Sequence, residues 1–171
     1  AAKLDGSKIY AIDLKLPGML HAAVKACPVF GGKLVSFDEA KIAGRPGVKR
    51  AVKVNDAAVA VVADTWWHAK TALEALPIVW DEGEGAKASS AAIAEHLKVG
   101  LDAKETFVYR DEGNATQAIA GAPKKVTAVY STPFLAHATM EPMNCTAVVH
   151  GDHAECWVPT QNAEASLAAL S

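Results

Sequence analysis

The sequence predicts an α+β fold, and three observations support this class. Short segments of alternating or uniformly apolar residues, such as 33–37 and 57–63, are typical of strands. Apolar residues also recur at helical spacing between Trp66 and Leu76, and turn residues separate the predicted elements. Hydrophobic residues make up 51% and charged residues 21% of the 171-residue chain, which is typical of a globular protein.

Five strands are predicted in the first part of the chain, at residues 9–14, 19–26, 33–37, 48–54 and 57–63. The first two should form a hairpin, because Pro17 presets φ and Gly18 accepts a positive φ in the turn between them. A short helical turn is predicted from Asp38. The strand at 57–63 is apolar throughout and is therefore expected to be buried on both faces.

A helix is predicted from Asp64, its expected N-cap, to about Leu76, where Pro77 ends it. We expect at least one of Trp66 and Trp67 to belong to the core, because apolar residues further along the helix share a stripe with them. A brief strand at 78–80 and an acidic, Gly-rich linker at 81–85 follow. The linker predicts a subdomain boundary.

The second part of the chain predicts three helices, beginning at Ser89 or Ser90, at Asn114 and at Asn162. Four strands are predicted at residues 106–110, 125–131, 144–149 and 153–158. The last two flank Gly151-Asp152, a two-residue hairpin turn. This register makes Cys145 and Cys156 diagonal neighbours on one face, a geometry that permits a disulfide without favouring it.

Composition and motifs exclude several function classes. Lys and Arg are spread along a chain of formal net charge -2, so we expect no nucleic-acid partner. No apolar run is long enough to span a bilayer, and the N-terminus lacks the order of a signal peptide. The three cysteines have no metal-site spacing, so no protein-ligated metal is predicted. Serine hydrolase, P-loop and dinucleotide-binding motifs are absent.

One segment carries polar residues in a pattern that could serve chemistry. His137 and Glu141 are four residues apart, but Pro142 disfavours a helix at Glu141 and so predicts a loop. Such a loop either lines a cofactor or substrate cavity or forms a turn whose polar side chains satisfy local backbone groups. The residues alone favour the turn.

Several segments together resemble one family: Leu16 to Ala22, Gly31-Gly32-Lys33, Pro46-Gly47-Val48, Val59 to Thr65, Leu135 to Ala147 and Trp157 to Asn162. In order and spacing the chain resembles the molybdenum hydroxylase family, which includes xanthine dehydrogenase and aldehyde oxidase. It is most similar to the molybdopterin-binding large subunit of the isoquinoline 1-oxidoreductase and aldehyde oxidoreductase branch. The chain begins without Met and ends in a predicted helix, so we expect part of a longer protein.

The resemblance implies an α/β-hammerhead domain at residues 8–82, a linker and helix at 83–103, and the start of a molybdopterin-binding domain at 104–171. It implies a bacterial protein of the cytoplasm or periplasm that hydroxylates N-heterocycles or aldehydes, with water as the oxygen source. Molybdenum would be carried by molybdopterin cytosine dinucleotide. Electrons would leave through iron–sulfur clusters on a small partner subunit.

The resemblance also assigns site residues. The family's catalytic glutamate belongs to a Gly-rich motif that this sequence does not contain, so we expect no catalytic residue here and no bound cofactor or turnover in this chain alone. Xanthine dehydrogenase relatives carry a metal-approaching Gln where this chain has Leu135, which cannot donate a hydrogen bond. Residues transferred as candidates for lining the cofactor cavity are Leu135, Ala136, His137, Glu141, Gln161 and Asn162.

Two further expectations concern partners. The second part of the chain should expose apolar surface and self-associate. The alternative to an enzyme is a non-catalytic hammerhead module that docks a partner protein.

Overall fold

Two compact units make up the protein in the computed structural model, which describes residues 1–170. The central unit comprises Gly18–Pro123, and the terminal unit combines Ala1–Pro17 with the residues from Lys124 onward. Both helices and small sheets are present, so the structure confirms a mixed α and β architecture.

The central unit contains five strands and three helices. The strands are β1 (His21–Ala26), β2 (Lys33–Phe37), β3 (Val48–Asn55), β4 (Ala58–Ala63) and β5 (Ile78–Asp81). The helices are α1 (Trp66–Ala75), α2 (Ser90–Gly100) and α3 (Ala115–Gly121). Short 3₁₀ turns occur at Glu39–Lys41 and Gly83–Lys87.

The main sheet of the central unit is antiparallel with the order β1-β4-β3, and β2 pairs with β5 in a separate two-stranded sheet. Strand β4 is central because its apolar residues can be buried on both faces, as the sequence predicted. Its Val61 lies opposite Ala23 of β1 and Ala51 of β3.

The core of the central unit lies between this sheet and α1. Its largest fully buried side chains are Ile42, Val59 and Val61. Helix α1 contributes Ala69 and Leu73 on the face turned toward the core. Small alanines let the helix approach the sheet closely, and Leu73 fills the space between them.

Helix α1 begins differently from the prediction. Thr65, not Asp64, is the N-cap, and its hydroxyl accepts a hydrogen bond from the backbone N–H of His68 at 3.2 Å. The Asp64 carboxylate instead contacts the His68 ring. Trp66 and Trp67 are 54% and 62% exposed, so the expectation that one belongs to the core was wrong.

The terminal unit contains a hairpin and a helix. Strands β6 (Thr146–His150) and β7 (His153–Trp157) flank the predicted turn, where His150 pairs with His153 and Gly151 has φ 62°. Helix α4 (Ala163–Leu170) follows, and Asn162 caps it by accepting a hydrogen bond from Ala165 N–H at 3.0 Å.

Three predicted strands are wrong. Residues 11–13 form a 3₁₀ turn in place of the strand at 9–14, because the Asp13 carboxylate accepts a hydrogen bond from Tyr10 N–H at 3.0 Å and closes the backbone locally. The predicted hairpin is therefore absent, and β1 pairs with β4. Residues 106–110 and 125–131 are irregular and have no partner strand within residues 1–170.

Within residues 1–170, no helix combines the length and apolar character that crossing a membrane requires.

Candidate functional site

The terminal unit contains an open cavity of about 290 Å³ between two of the motif segments quoted above. One wall belongs to the loop before β6 and the other to the connection between β7 and α4. The lining residues are Thr139, Glu141, Met143, Pro159, Thr160 and Gln161. We call this space the two-motif cavity.

The loop wall is held by local hydrogen bonds. The Thr139 hydroxyl donates to the carbonyl oxygen of Glu141 at 3.0 Å, and the Asn144 amide donates to that of Pro142 at 2.7 Å. Ala138 has φ 48°, in the left-handed region that residues other than glycine rarely occupy. The segment is a loop and not a helix, as Pro142 predicted.

The opposite wall is fixed by the start of α4. The Thr160 hydroxyl accepts hydrogen bonds from Asn162 N–H and from the Ser166 hydroxyl, both at 3.0 Å. The Ser166 hydroxyl also lies 3.0 Å from the carbonyl oxygen of Asn162. These contacts hold Gln161 at the rim, between the end of β7 and the first turn of α4.

Glu141 has the most unusual environment of the lining residues. The residue is partly buried, and its Oε1 atom is removed from solvent without a hydrogen-bond partner. Buried polar atoms in folded proteins nearly always have a partner, because an unsatisfied one costs about 1–3 kcal/mol. The atom is therefore suited to accept a hydrogen bond from an N–H or O–H group of a ligand.

The structure brings together two of the six predicted site residues. Glu141 and Gln161 line the two-motif cavity, whereas Leu135, Ala136 and His137 are exposed and lie outside its lining. Asn162 is engaged as the cap of α4.

Thr139 and Thr160 also line the cavity, although neither was among the predicted site residues. Both lie inside the quoted motif segments, Leu135 to Ala147 and Trp157 to Asn162. Membership in these motif segments is the sequence signal that could have identified both threonines as site residues.

A second open cavity of about 300 Å³ lies against one face of the hairpin and is lined by Leu16, Pro17, Val148, His150, Glu155 and Trp157. The nearby His153 ring lies 3.8 Å from the Glu155 carboxylate. Within residues 1–170, no three His, Cys, Asp or Glu residues are grouped closely enough to hold a metal ion.

An acid–histidine pair lies in the central unit. The Asp64 carboxylate contacts the His68 ring Nδ1 at 2.6 Å, and this hydrogen bond is the main cause that lowers the pKa of Asp64. A Cβ at Gly47, where φ is +72°, would collide with both side chains. The pair lies at the start of α1, and the loop before β3 packs closely against it, which is a structural role.

Comparison with known proteins shows two curated relatives along most of the chain. One is a subunit of the nicotinate dehydrogenase of Pseudomonas putida, which is 29% identical over 168 residues, covering 94% of this chain and 14% of its own length. Membrane-bound aldehyde dehydrogenase [pyrroloquinoline-quinone] of Gluconacetobacter polyoxogenes is 28% identical over 155 residues, covering 85% of this chain and 20% of its own length. The chain thus spans a fifth or less of either relative.

Solved structures match more weakly, and no family model matches the chain. The alignment with quinoline 2-oxidoreductase from Pseudomonas putida 86 covers 47% of this chain and 15% of that protein's chain, with a TM-score of 0.40 and 22% identity. The alignment with the Cu,Mo-CO dehydrogenase covers 47% of this chain and 14% of that protein's chain, with a TM-score of 0.41 and 20% identity. The two curated relatives confirm the resemblance that the sequence motifs indicated, which is to the molybdenum hydroxylase family.

Proposed function

We propose that the chain is part of the large subunit of a molybdenum-dependent oxidoreductase that hydroxylates N-heterocycles or aldehydes. The observation that carries this proposal is the alignment of nearly the whole chain with the nicotinate dehydrogenase subunit. Nicotinate is an N-heterocycle, and the name of the second relative specifies an aldehyde as substrate. The two relatives therefore represent both substrate classes that the resemblance implies, N-heterocycles and aldehydes.

We further propose the domain assignment that the resemblance implies. Residues 8–82 would be the α/β-hammerhead domain, residues 83–103 a linker and helix, and residues 104–171 the start of the molybdopterin-binding domain. The single core of sheet and α1 residues, all between Ala23 and Leu76, supports an independent first domain. The hairpin and α4 lie in the terminal unit, outside this core, although that unit begins at Lys124 and also includes Ala1–Pro17.

The cofactor in this proposal is molybdopterin cytosine dinucleotide, and a small subunit with iron–sulfur clusters accepts the electrons. When bound, the cofactor supplies the metal centre at which the substrate is oxidised. The first relative is named as one subunit of its enzyme, which supports a protein of several subunits. This chain contributes scaffold and one part of the cofactor cavity.

The two-motif cavity fits part of this cofactor. Glu141 Oε1 needs a donor, and the amino and ring N–H groups of a pterin and the amino group of a cytosine are such donors. Thr139, Thr160 and Gln161 are further polar residues of the lining. None of the six lining residues is a cation, so the diphosphate would have to be bound by other residues.

The experiment uses the longest natural polypeptide that contains this sequence, purified with its small subunit and assayed for molybdenum and for oxidation of nicotinate, isoquinoline and aldehydes. We expect molybdenum and turnover in the wild type and reduced molybdenum in Glu141→Gln. Glu112→Gln is the control, because Glu112 is exposed and paired with Arg110 at 2.6 Å. A wild-type protein with neither molybdenum nor turnover would refute the proposal.

A second candidate function is a hammerhead module that docks a partner protein without catalysis. The observation that favours it is the exposed pair Trp66 and Trp67, with the Lys70 ammonium 5.4 and 5.9 Å from the two ring centres. Exposed aromatic residues of this kind are enriched at protein interfaces. Reading the length of the natural open reading frame discriminates the two, since a frame that ends near residue 171 favours the docking module.

A further inference from the structure

Two cysteines lie on one face of the hairpin, two and three residues along the chain from Met143 and Pro159 of the two-motif cavity. Ala147 pairs with Cys156 across the β6–β7 ladder, and Thr146 pairs with Trp157. Cys145 precedes β6 and lies on the same side as Ala147, which makes it the diagonal neighbour of Cys156. Such diagonal positions are within reach of each other's side chains.

Both thiols are free. Burial, and then the proximity of Cys156, raise the pKa of the Cys145 thiol. The ladder register and this effect on the pKa both place the two side chains beside each other.

The backbone around Cys145 can supply the movement that a disulfide would need. A disulfide requires Cα atoms about 4.4–6.8 Å apart, whereas diagonal positions in a regular ladder are about 7–8 Å apart. Cys145 lies one residue outside β6, so the ladder does not fix it, and it is exposed. Closing the bond shifts the irregular segment 142–145 and leaves the hairpin intact.

We propose that Cys145 and Cys156 form a redox-closed clamp on the two-motif cavity, in which a small-molecule disulfide is the oxidant. One thiol, as its thiolate, attacks the oxidant disulfide and releases one reduced thiol. The second cysteine then attacks the resulting mixed disulfide and releases the remaining half of the oxidant as a thiol, forming the Cys145–Cys156 bond. Overall, the two cysteines lose two protons and two electrons, and the oxidant disulfide becomes two thiols.

The clamp would act on the cavity through short connections. Met143 lies two residues before Cys145, and Pro159 three residues after Cys156, and each lines a different wall. A covalent bond between the cysteines therefore ties the two walls together. The bond itself does not depend on the proposed molybdenum chemistry, whereas its effect on cofactor binding does.

The test treats the full chain with oxidised glutathione, alkylates the remaining thiols and digests it without reduction using a protease that cleaves at Asp152, between the two cysteines. We expect a linked pair of peptides containing Cys145 and Cys156 in the wild type. Cys27→Ser is the matched control and should keep the link, because Cys27 lies in the central unit. Cys145→Ser and Cys156→Ser should lose it and carry glutathione on the remaining thiol.

Two results would overturn the clamp: free Cys145 and Cys156 after oxidation, or a bond between these residues only in dimers on non-reducing gels. Hydrogen exchange tests its effect on the walls. The amides of residues 143–145 and those of Val158, Thr160 and Gln161 should exchange several-fold more slowly after oxidation and recover on reduction. Unchanged exchange in both segments of a demonstrably linked chain would refute the link to the cavity.

Discussion

Asp64 and His68 form a side-chain contact at the start of α1, beside the loop before β3. The Asp64 carboxylate contacts the ring 2.6 Å away, and Gly47 leaves the space that both side chains occupy. The hydrogen bond lowers the pKa of Asp64 below its ordinary value of 3.8, so the folded state favours the ionised form. The contact therefore stabilises the fold above that value and loses this effect as the pH falls through the lowered pKa.

Asp64→Asn should lower stability at neutral pH and lose its effect in acid. The gap between the wild-type and variant urea midpoints is expected to narrow as the pH falls below about 4. Asp102→Asn, at an exposed position after α2, serves as control and should show no such narrowing. A gap that stays constant down to about pH 2 would show that the carboxylate charge is unimportant.

Glu141→Gln should not destabilise the isolated chain. The Oε1 atom has no hydrogen bond to lose, so we expect the unfolding free energy to stay equal or rise by up to about 1 kcal/mol. Chemical denaturation followed by circular dichroism measures it. A loss greater than about 1 kcal/mol would mean that the carboxylate has a partner in the protein.

Among the elements, helices α1 and α2 differ in how deeply their apolar side chains are buried. Leu73 of α1 is 7% exposed against the sheet, whereas Leu97 of α2 is 60% exposed. Helix α2 is nevertheless well defined at its start, because the Ser89 hydroxyl accepts a hydrogen bond from Ala92 N–H at 3.1 Å. Local capping thus defines α2, and tertiary packing stabilises α1.

Leu73→Ala should cost about 2–5 kcal/mol of unfolding free energy, because it leaves a cavity in the core. Leu97→Ala is the matched control on an exposed helix face and should change it by no more than about 0.5 kcal/mol. Urea denaturation of both variants under the same conditions measures the difference. Equal losses would contradict the assignment of the core to the face between α1 and the main sheet.

Elements with strong local signals could be predicted from the sequence. Strand β4, the end of α1 at Pro77 and the Gly151-Asp152 hairpin follow from apolar patterning, proline chemistry and turn type. Apolar and polar residues alternate at 125–131 as in a strand, but strand pairing needs a neighbouring strand that the pattern itself cannot supply. Residues 9–14 were mispredicted because Asp13 closes a local turn.

The candidate site could be predicted only as two motif segments. That Glu141 and Gln161 line one cavity depends on the register of the hairpin and the start of α4. The unsatisfied Oε1 atom depends on burial, which the sequence does not encode locally.

At the scale of the whole molecule, the terminal unit exposes many apolar side chains. Those in and around the irregular segment 124–145 include Val126, Tyr130, Phe134, Leu135, Met140 and Met143. Exposed apolar surface of this extent is typical of proteins that contact further protein. It agrees with the small share of each relative's length that the chain spans.

The isolated chain should therefore self-associate. We expect size-exclusion chromatography coupled to light scattering to give a mass above 17.9 kDa that rises with concentration. Replacing Phe134 and Leu135 by Ser should shift the distribution toward the monomer. A clean monomer of the wild type across the concentration range would contradict this expectation.

We propose that this chain supplies scaffold and part of a cavity wall, and that the chemistry requires residues outside it. The most direct test purifies the chain from a host that makes molybdopterin cytosine dinucleotide, then measures bound molybdenum and the oxidation of nicotinate and aldehydes with an artificial acceptor. We expect neither molybdenum nor turnover. Stoichiometric molybdenum with turnover by this chain alone would contradict the claim.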